Sequence, residues 1–313
     1  LAEPAEKAQK QPGVDHDMKK LTALFLILLL LCGCSFEYVT APPALDPDST
    51  GNNVLKVHYL DVGQADCILL ETDGQYLLID GGNKEDGQFV VSYLERQGVE
   101  ALEAVICTHP HEDHVGGLAA VLAVYPAASV YAPTKTYGSD AFDDFLKYTD
   151  QQALEITVPA PGDELILGQA KLTFLGPTKS YAEANDTSII LMAHFLETRF
   201  LFTGDMEAAA EKDMLDFWGE AFQWDVDVLK VGHHGSGTSS SYRFLRETAP
   251  EYAVISVGAG NPHGHPHESV TSRFADAGTP VLRTDELGTI LAVSDGYSIS
   301  FTWEHTGQSP FAG

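Results

Sequence analysis

Residues 105–117 read V-I-C-T-H-P-H-E-D-H-V-G-G, with three histidines and two carboxylates inside six residues, between an apolar run and a glycine pair. His109 and His111 lie two apart, so on an extended segment both side chains face the same way. Asp113 and His114 follow where the chain turns into a helix. The first pair suits one ion and the last pair a second. Neutral imidazoles with a carboxylate fit zinc, manganese or iron. The pattern therefore predicts a centre for one or two divalent ions, zinc first and manganese as the alternative, rather than a polar helix cap that happens to contain histidines.

Working outward, the run before this motif reads as a buried strand at 104–107 and the run after it as a helix over 117–124. Strands are predicted at 54–60, 67–70 and 76–79, and a helix at 88–97. The second half predicts strands at 171–175, 188–195, 199–203, 226–231, 252–257, 281–283, 289–293 and 298–303, with helices at 207–217, 241–247 and 268–277. Strand-rich halves with interspersed helices predict an α+β fold, two sheets face to face with helices outside. The early hairpin-like strands count against the competing layout, a doubly wound parallel sheet.

His-x-His-x-Asp-His after an apolar strand resembles the metallo-β-lactamase superfamily, which implies an αββα sandwich with a one- or two-metal site at the sheet edges. Phe202-Thr203-Gly204-Asp205 resembles that family's strand-end aspartate, which implies a metal-bridging, catalytic role for Asp205 beside Asp113. Leu229–Ser236 (LKVGHHGS) resembles its later histidine strand end. His233 is taken as the metal-directed residue and His234 as the alternative, because neighbours on a strand end face opposite ways. Together with Asp61-Val62-Gly63-Gln64-Ala65-Asp66, Leu78-Ile79-Asp80-Gly81-Gly82 and Gly264-His265-Pro266, these motifs resemble the hydrolase domain of ComEC-type competence proteins over almost all of 54–303.

One departure stands out. Many members supply a third histidine to the first metal from a strand end midway along the chain. Here no histidine occurs between His114 and His194, and Asn185-Asp186-Thr187 occupies about that place. The first metal is thus expected to have an incomplete protein shell or an oxygen from Asn185 or Asp186. Asp61 and Asp80 are candidates to accept the distal N–H of ligand imidazoles, or simply turn formers. In the loop 261–267, His265 is assigned to protonate a leaving oxygen or to contact a phosphate. Asp285 either closes off the site or forms a turn. The expected chemistry is hydrolysis, with a bound ion lowering the pKa of water from ~15.7 to roughly 7 and giving hydroxide at neutral pH.

The N-terminal region predicts where this happens. Met18-Lys19-Lys20 precedes the short apolar run 21–31 and Cys32-Gly33-Cys34, a secretory signal too short to span a bilayer as a mature helix. Its end resembles a bacterial lipobox, implying lipidation of Cys34; a plain signal or a single anchor is the alternative. Residues 1–17 form a non-structural extension, 18–34 the signal, 35–53 a Pro/Asp-rich flexible linker, 54–305 the hydrolase domain and 306–313 a tail. Beyond the leader, Cys67 and Cys107 sit in apolar runs, as buried thiols or as a disulfide.

The chain of 313 residues carries a formal charge of −27, with 18 Lys and Arg against 45 Asp and Glu. Lys135, Lys147, Lys171, Lys179, Lys212 and Lys230 are scattered and form no basic track for a duplex. The expected partner is a phosphodiester, either DNA as the resemblance implies or a smaller surface ester, with the membrane reached through the lipid anchor and no protein partner evident. Hydrolysis of a lactone, thioester or β-lactam is the second expectation. A non-catalytic metal-binding lipoprotein, suggested by the missing histidine, is the third.

Overall fold

The computed structural model describes residues 53–305. The extension 1–17, the signal with Cys34, nearly all of the linker and the tail 306–313 lie outside the described residues.

Fifteen strands carry the described chain: β1 (Leu55–Tyr59), β2 (Ile68–Thr72), β3 (Gln75–Ile79), β4 (Ala104–Ile106), β5 (Val130–Tyr131), β6 (Ile156–Thr157), β7 (Glu164–Leu167), β8 (Ala170–Gly176), β9 (Ile190–Phe195), β10 (Thr198–Phe202), β11 (Val228–Lys230), β12 (Tyr252–Ile255), β13 (Val281–Arg283), β14 (Ile290–Ser294) and β15 (Ile299–Trp303). They form an eight-stranded sheet in the order β15-β14-β1-β2-β3-β4-β5-β6 and a seven-stranded sheet in the order β13-β12-β11-β10-β9-β8-β7. This is the α+β sandwich expected from the sequence.

The alternation of side chains along each strand explains the layering. Leu55, Val57 and Tyr59 of β1, Leu77 and Ile79 of β3, and Phe200 and Phe202 of β10 share one core between the sheets. The intervening Leu69, Leu78 and Val105 face the other way, into a second core with helices Gly87–Arg96, Leu118–Val124 and Asp140–Gln151. Leu201, Leu229 and Ala253 face a third core with helices Ala208–Trp218, Tyr242–Thr248 and Glu268–Ala277. Each fully buried Leu or Phe contributes roughly 1.5–3 kcal/mol, so both faces of both sheets are held.

The stretch between the helix Leu118–Val124 and β8 was not foreseen. It forms β5, β6, β7 and the twelve-residue helix Asp140–Gln151, whose start is capped by Ser139 accepting from Phe142 N at 3.3 Å. Cys67 and Cys107 are buried free thiols, and burial pushes both well above the ordinary thiol pKa. Among the described residues no helix is long and apolar enough to cross a membrane.

The parallel pairs bring the candidate ligands to one rim of the sandwich. β3 runs parallel to β4, and β10, β11, β12 and β13 run parallel to one another. Asp80, Thr108–His114, Asp205, His233 and His234 all lie just past the carboxyl ends of such strands.

Candidate metal centre

Two glycine pairs let the loops meet. A Cβ on Gly117 would overlap the Gly81 carbonyl oxygen, and one on Gly81 would lie 2.6 Å from Leu118 N. The turn after β3 therefore rests directly on the helix start that follows His114. It presents Asp80, itself in the left-handed region at φ 57°. Asp80 is fully buried. One of its oxygens accepts from Thr108 N at 2.7 Å; the other accepts from Thr108 Oγ1 at 2.7 Å and lies 2.8 Å from His114 Nδ1. With Nδ1 engaged, His114 presents Nε2 to the centre. This is the support expected of Asp80. Asp80→Asn is accordingly expected to weaken metal affinity 10–100-fold, measured by competition with a chromophoric chelator.

Asp113, His114, Asp205 and His234 each offer one ligand atom, all within 4.8 Å of one another. His114 Nε2 is 3.3 Å from Asp205 Oδ1; His234 Nε2 is 3.3 Å from Asp113 Oδ2 and 3.6 Å from Asp205 Oδ2. A second group gathers on Asp205 Oδ2, the oxygen that His234 also approaches. His109 Nε2 lies 3.9 Å from Oδ2 and 3.0 Å from His111 Nδ1, and His233 Nε2 lies 3.7 Å from Oδ2. Asp205 thus stands between the two groups, at the floor of a cleft of about 470 Å³ that His265 and Gln64 also line.

The residues fit divalent cations. His114 Nε2, His234 Nε2, Asp205 Oδ1 and Asn185 Oδ1 are buried without a hydrogen-bond partner among the described residues, a state costing roughly 1–3 kcal/mol per group unless something satisfies it. The field agrees. Burial opposes charge on His234, yet Asp205 and Asp66 outweigh it and raise its pKa to about 10. Burial would likewise raise Asp205, but His234 and His114 hold it well below the usual carboxylate range. These carboxylates stay ionised and draw positive charge to the spot the ligand atoms surround.

The structure brings both adjacent histidines to the centre, where one was expected to be metal-directed and the other its alternative. Neighbours on an extended strand would diverge, but His233 and His234 are both left-handed, at φ 50° and 52°. The reversal of the chain turns both rings toward Asp205. His234 is the buried one that completes the four-residue group, and its Nδ1 is fixed 3.0 Å from the Ser256 carbonyl oxygen. His233 is partly exposed, with Nδ1 3.2 Å from Glu207 Oε1. Left-handed non-glycine residues cost of order 1–3 kcal/mol each and cluster at functional sites.

Three other expectations narrow to one of their alternatives. Asp61 caps its own turn, accepting from Gly63 N at 3.2 Å, and its charged neighbours are Glu304, His305 and Asp285 rather than a site imidazole. Asp186 accepts from Glu207 N at 3.1 Å, at the start of the helix Ala208–Trp218. Of that pair only Asn185 reaches the cleft, its Nδ2 3.5 Å from His233 Nδ1. His265 sits at the rim, 3.4 Å from Gln64 Nε2, but burial and then His233 and His234 lower its pKa to about 4. It is neutral at neutral pH, suited to hydrogen bonding with a phosphoryl oxygen rather than to arriving as a charged acid.

Two residues of the site were missed. Lys230 is fully buried and its ammonium contacts Asp66 Oδ2; the other Asp66 oxygen is 3.4 Å from His234 Nδ1. Asp66, Asp80 and His114 also bring three ligand atoms within 4.8 Å, but Lys230 already supplies the positive charge there. The signal was a lysine in the middle of the apolar run 226–231 (VDVLKV), which needs a buried partner.

With this geometry in view, the comparisons are specific. The model of the metallo-beta-lactamase superfamily matches residues 60–259. This chain belongs to the metallo-beta-lactamase superfamily. It is a metal-dependent hydrolase-family protein of that fold. Competence protein ComA of Neisseria gonorrhoeae is 31% identical over 246 residues, 78% of this chain and 33% of ComA. ComE operon protein 3 of Bacillus subtilis is 26% identical over 254 residues, 75% of this chain and 32% of the relative. The chain thus spans about a third of the length of these relatives. Among solved structures, the metallo-beta-lactamase fold protein YhfI of Bacillus subtilis superposes with a TM-score of 0.54 at 15% identity, covering 77% of this chain and all of YhfI; this bears on the fold alone.

Proposed function

We propose that this superfamily member is an exported phosphodiesterase of the nuclease type, tethered to the membrane through a lipidated Cys34 and using zinc or manganese. The observation that carries the reading is Asp205 standing between two imidazole groups on the cleft floor. The likeness to ComA and ComE operon protein 3 over three quarters of the chain supports a nucleic-acid type of phosphodiester. The charge of −27 favours a single strand or small ester over a duplex.

Ions held by His109, His111, Asp113, His114, Asp205 and His234 would supply an acidic water and neutralise charge on the phosphoryl group. The chain's own residues do the rest. Asp205 accepts a hydrogen bond from the attacking water and orients it. Asp80 and Ser256 fix the tautomers of His114 and His234, and His265 donates a hydrogen bond to a phosphoryl oxygen from the rim. Purified 35–313 loaded with zinc or manganese is expected to turn over bis(p-nitrophenyl) phosphate, to lose that activity in EDTA and to regain it when the ion is restored. Metal uptake without any turnover of this ester, nitrocefin, a lactone or a thioester would instead support a binding lipoprotein.

A second reading has one observation in its favour. Hydroxyacylglutathione hydrolase of Edwardsiella ictaluri is 35% identical over 71 residues, 23% of this chain. Thioester turnover exceeding that of the phosphodiester would decide for it.

A further inference from the structure

Beside the metal-directed cleft runs a second cavity of about 450 Å³. The two share their dividing wall. Pro110, between His109 and His111, faces the second cavity while His111 faces the first; Ala184 and Thr187 face the second while Asn185 faces the first. A substrate with its reacting phosphate at Asp205 therefore has this groove as a place for the group next in line.

The lining says what that group is. In a chain of charge −27, no carboxylate among the described residues lines this groove, so a neighbour of a phosphate is not repelled there. The cation in its wall, Lys179, is held by Asp213 at 2.6 Å, and the same carboxylate accepts from Tyr181 Oη at 3.2 Å. The remaining surface is mostly proline, hydroxyl and aromatic, with Val158, Ala182 and Ala184 as its aliphatic part. The Tyr137 ring is set edge-on against Phe142 and His111, with centroids 6.2 and 6.4 Å away, and stays partly open at 37% exposure. Two neighbouring rings thus pack against it while part of it remains open. Such a surface takes a flat, uncharged group with hydrogen-bonding edges. A single anion would want a free cation, and a long acyl chain would want a lining without hydroxyls.

We propose that this groove is a nucleobase subsite, in which the base flanking the scissile phosphate stacks on Tyr137. The inference rests on the phosphodiester reading above and names its substrate as single-stranded. The test compares dithymidine monophosphate with the same dinucleotide lacking both bases, following cleavage by chromatography. In Tyr137→Ala the ratio of kcat/KM for the two substrates is expected to fall about tenfold, the size of one lost base–aromatic stack, while Tyr137→Phe keeps the wild-type ratio. An unchanged ratio in folded Tyr137→Ala overturns the proposal, as does wild-type enzyme cleaving both substrates equally well. If neither substrate is cleaved, the phosphodiester reading fails separately. Saturation-transfer NMR with thymidine 5′-monophosphate then decides: base-proton contacts that vanish in Tyr137→Ala keep the subsite, and their absence from the wild type removes it.

Discussion

Asp205→Ala is expected to reduce turnover of bis(p-nitrophenyl) phosphate about a thousandfold and to lower metal content together with it. Asp205 is the residue both groups share, with Oδ1 toward His114 and Oδ2 within 4 Å of His109, His233 and His234. Removing it withdraws an anion from both groups at once. Metal-derived charge stabilisation is worth several kcal/mol, and each ~1.4 kcal/mol is tenfold in rate. Elemental analysis separates the two effects: full metal content with lost turnover leaves Asp205 as a purely catalytic group, whereas wild-type rates with full metal content would remove it from the centre altogether. Because Asp205 N also donates to Ser188 Oγ at 3.0 Å, the backbone here is held independently of the side chain. The variant is expected to fold.

Lys230→Met is expected to cost roughly 3–5 kcal/mol of stability, the usual result of leaving a buried partner charge unpaired. Burial would raise the pKa of Asp66, but Lys230 and then His234 hold it below the ordinary value, so the carboxylate is ionised at neutral pH. Its stabilising contribution is present above the ordinary aspartate pKa and is lost as the pH falls through the depressed value. Met fills the volume but leaves Asp66 with only the imidazoles of His234 and, at 3.9 Å, His114. Adding Asp66→Asn removes the stranded charge while keeping an oxygen for His234, so the double variant is expected to recover most of the loss. Urea denaturation of the three proteins measures this, and a single variant as stable as the wild type would show that Asp66 is not ionised in the fold.

Much of this was legible in the sequence where spacing and geometry coincide. His109, His111, Asp113 and His114 follow a strand and open a helix, and their separations alone bring them together. Asp205 was legible because a resemblance supplied its role. The His233–His234 order was not, since alternation assumes an extended backbone and the two residues are left-handed. Asp61 and Asp80 carry the same turn chemistry in sequence. Only the packing of Gly81 on Gly117, a contact between distant segments, tells which carboxylate reaches an imidazole. Lys230 resembles the other scattered lysines because charge usually marks a surface, while its apolar neighbours mark the opposite. The helix Asp140–Gln151 is hard to see despite its Ser139 cap, as its buried stripe of Phe142, Phe145 and Thr149 is interrupted by acidic and polar residues.

The charged ligand candidates follow the carboxyl ends of parallel strands, whereas most of the surrounding wall belongs to separate connecting segments, 133–137, 177–187 and 258–265, which lend the centre only Asn185 and His265. Reactivity and selectivity are therefore encoded in physically separable parts of the chain. A longer or shorter connection at any one wall would retune which molecules enter while the rigid strand tips keep their spacing, so new substrates are open to this scaffold by changing its loops and leaving its sheets untouched.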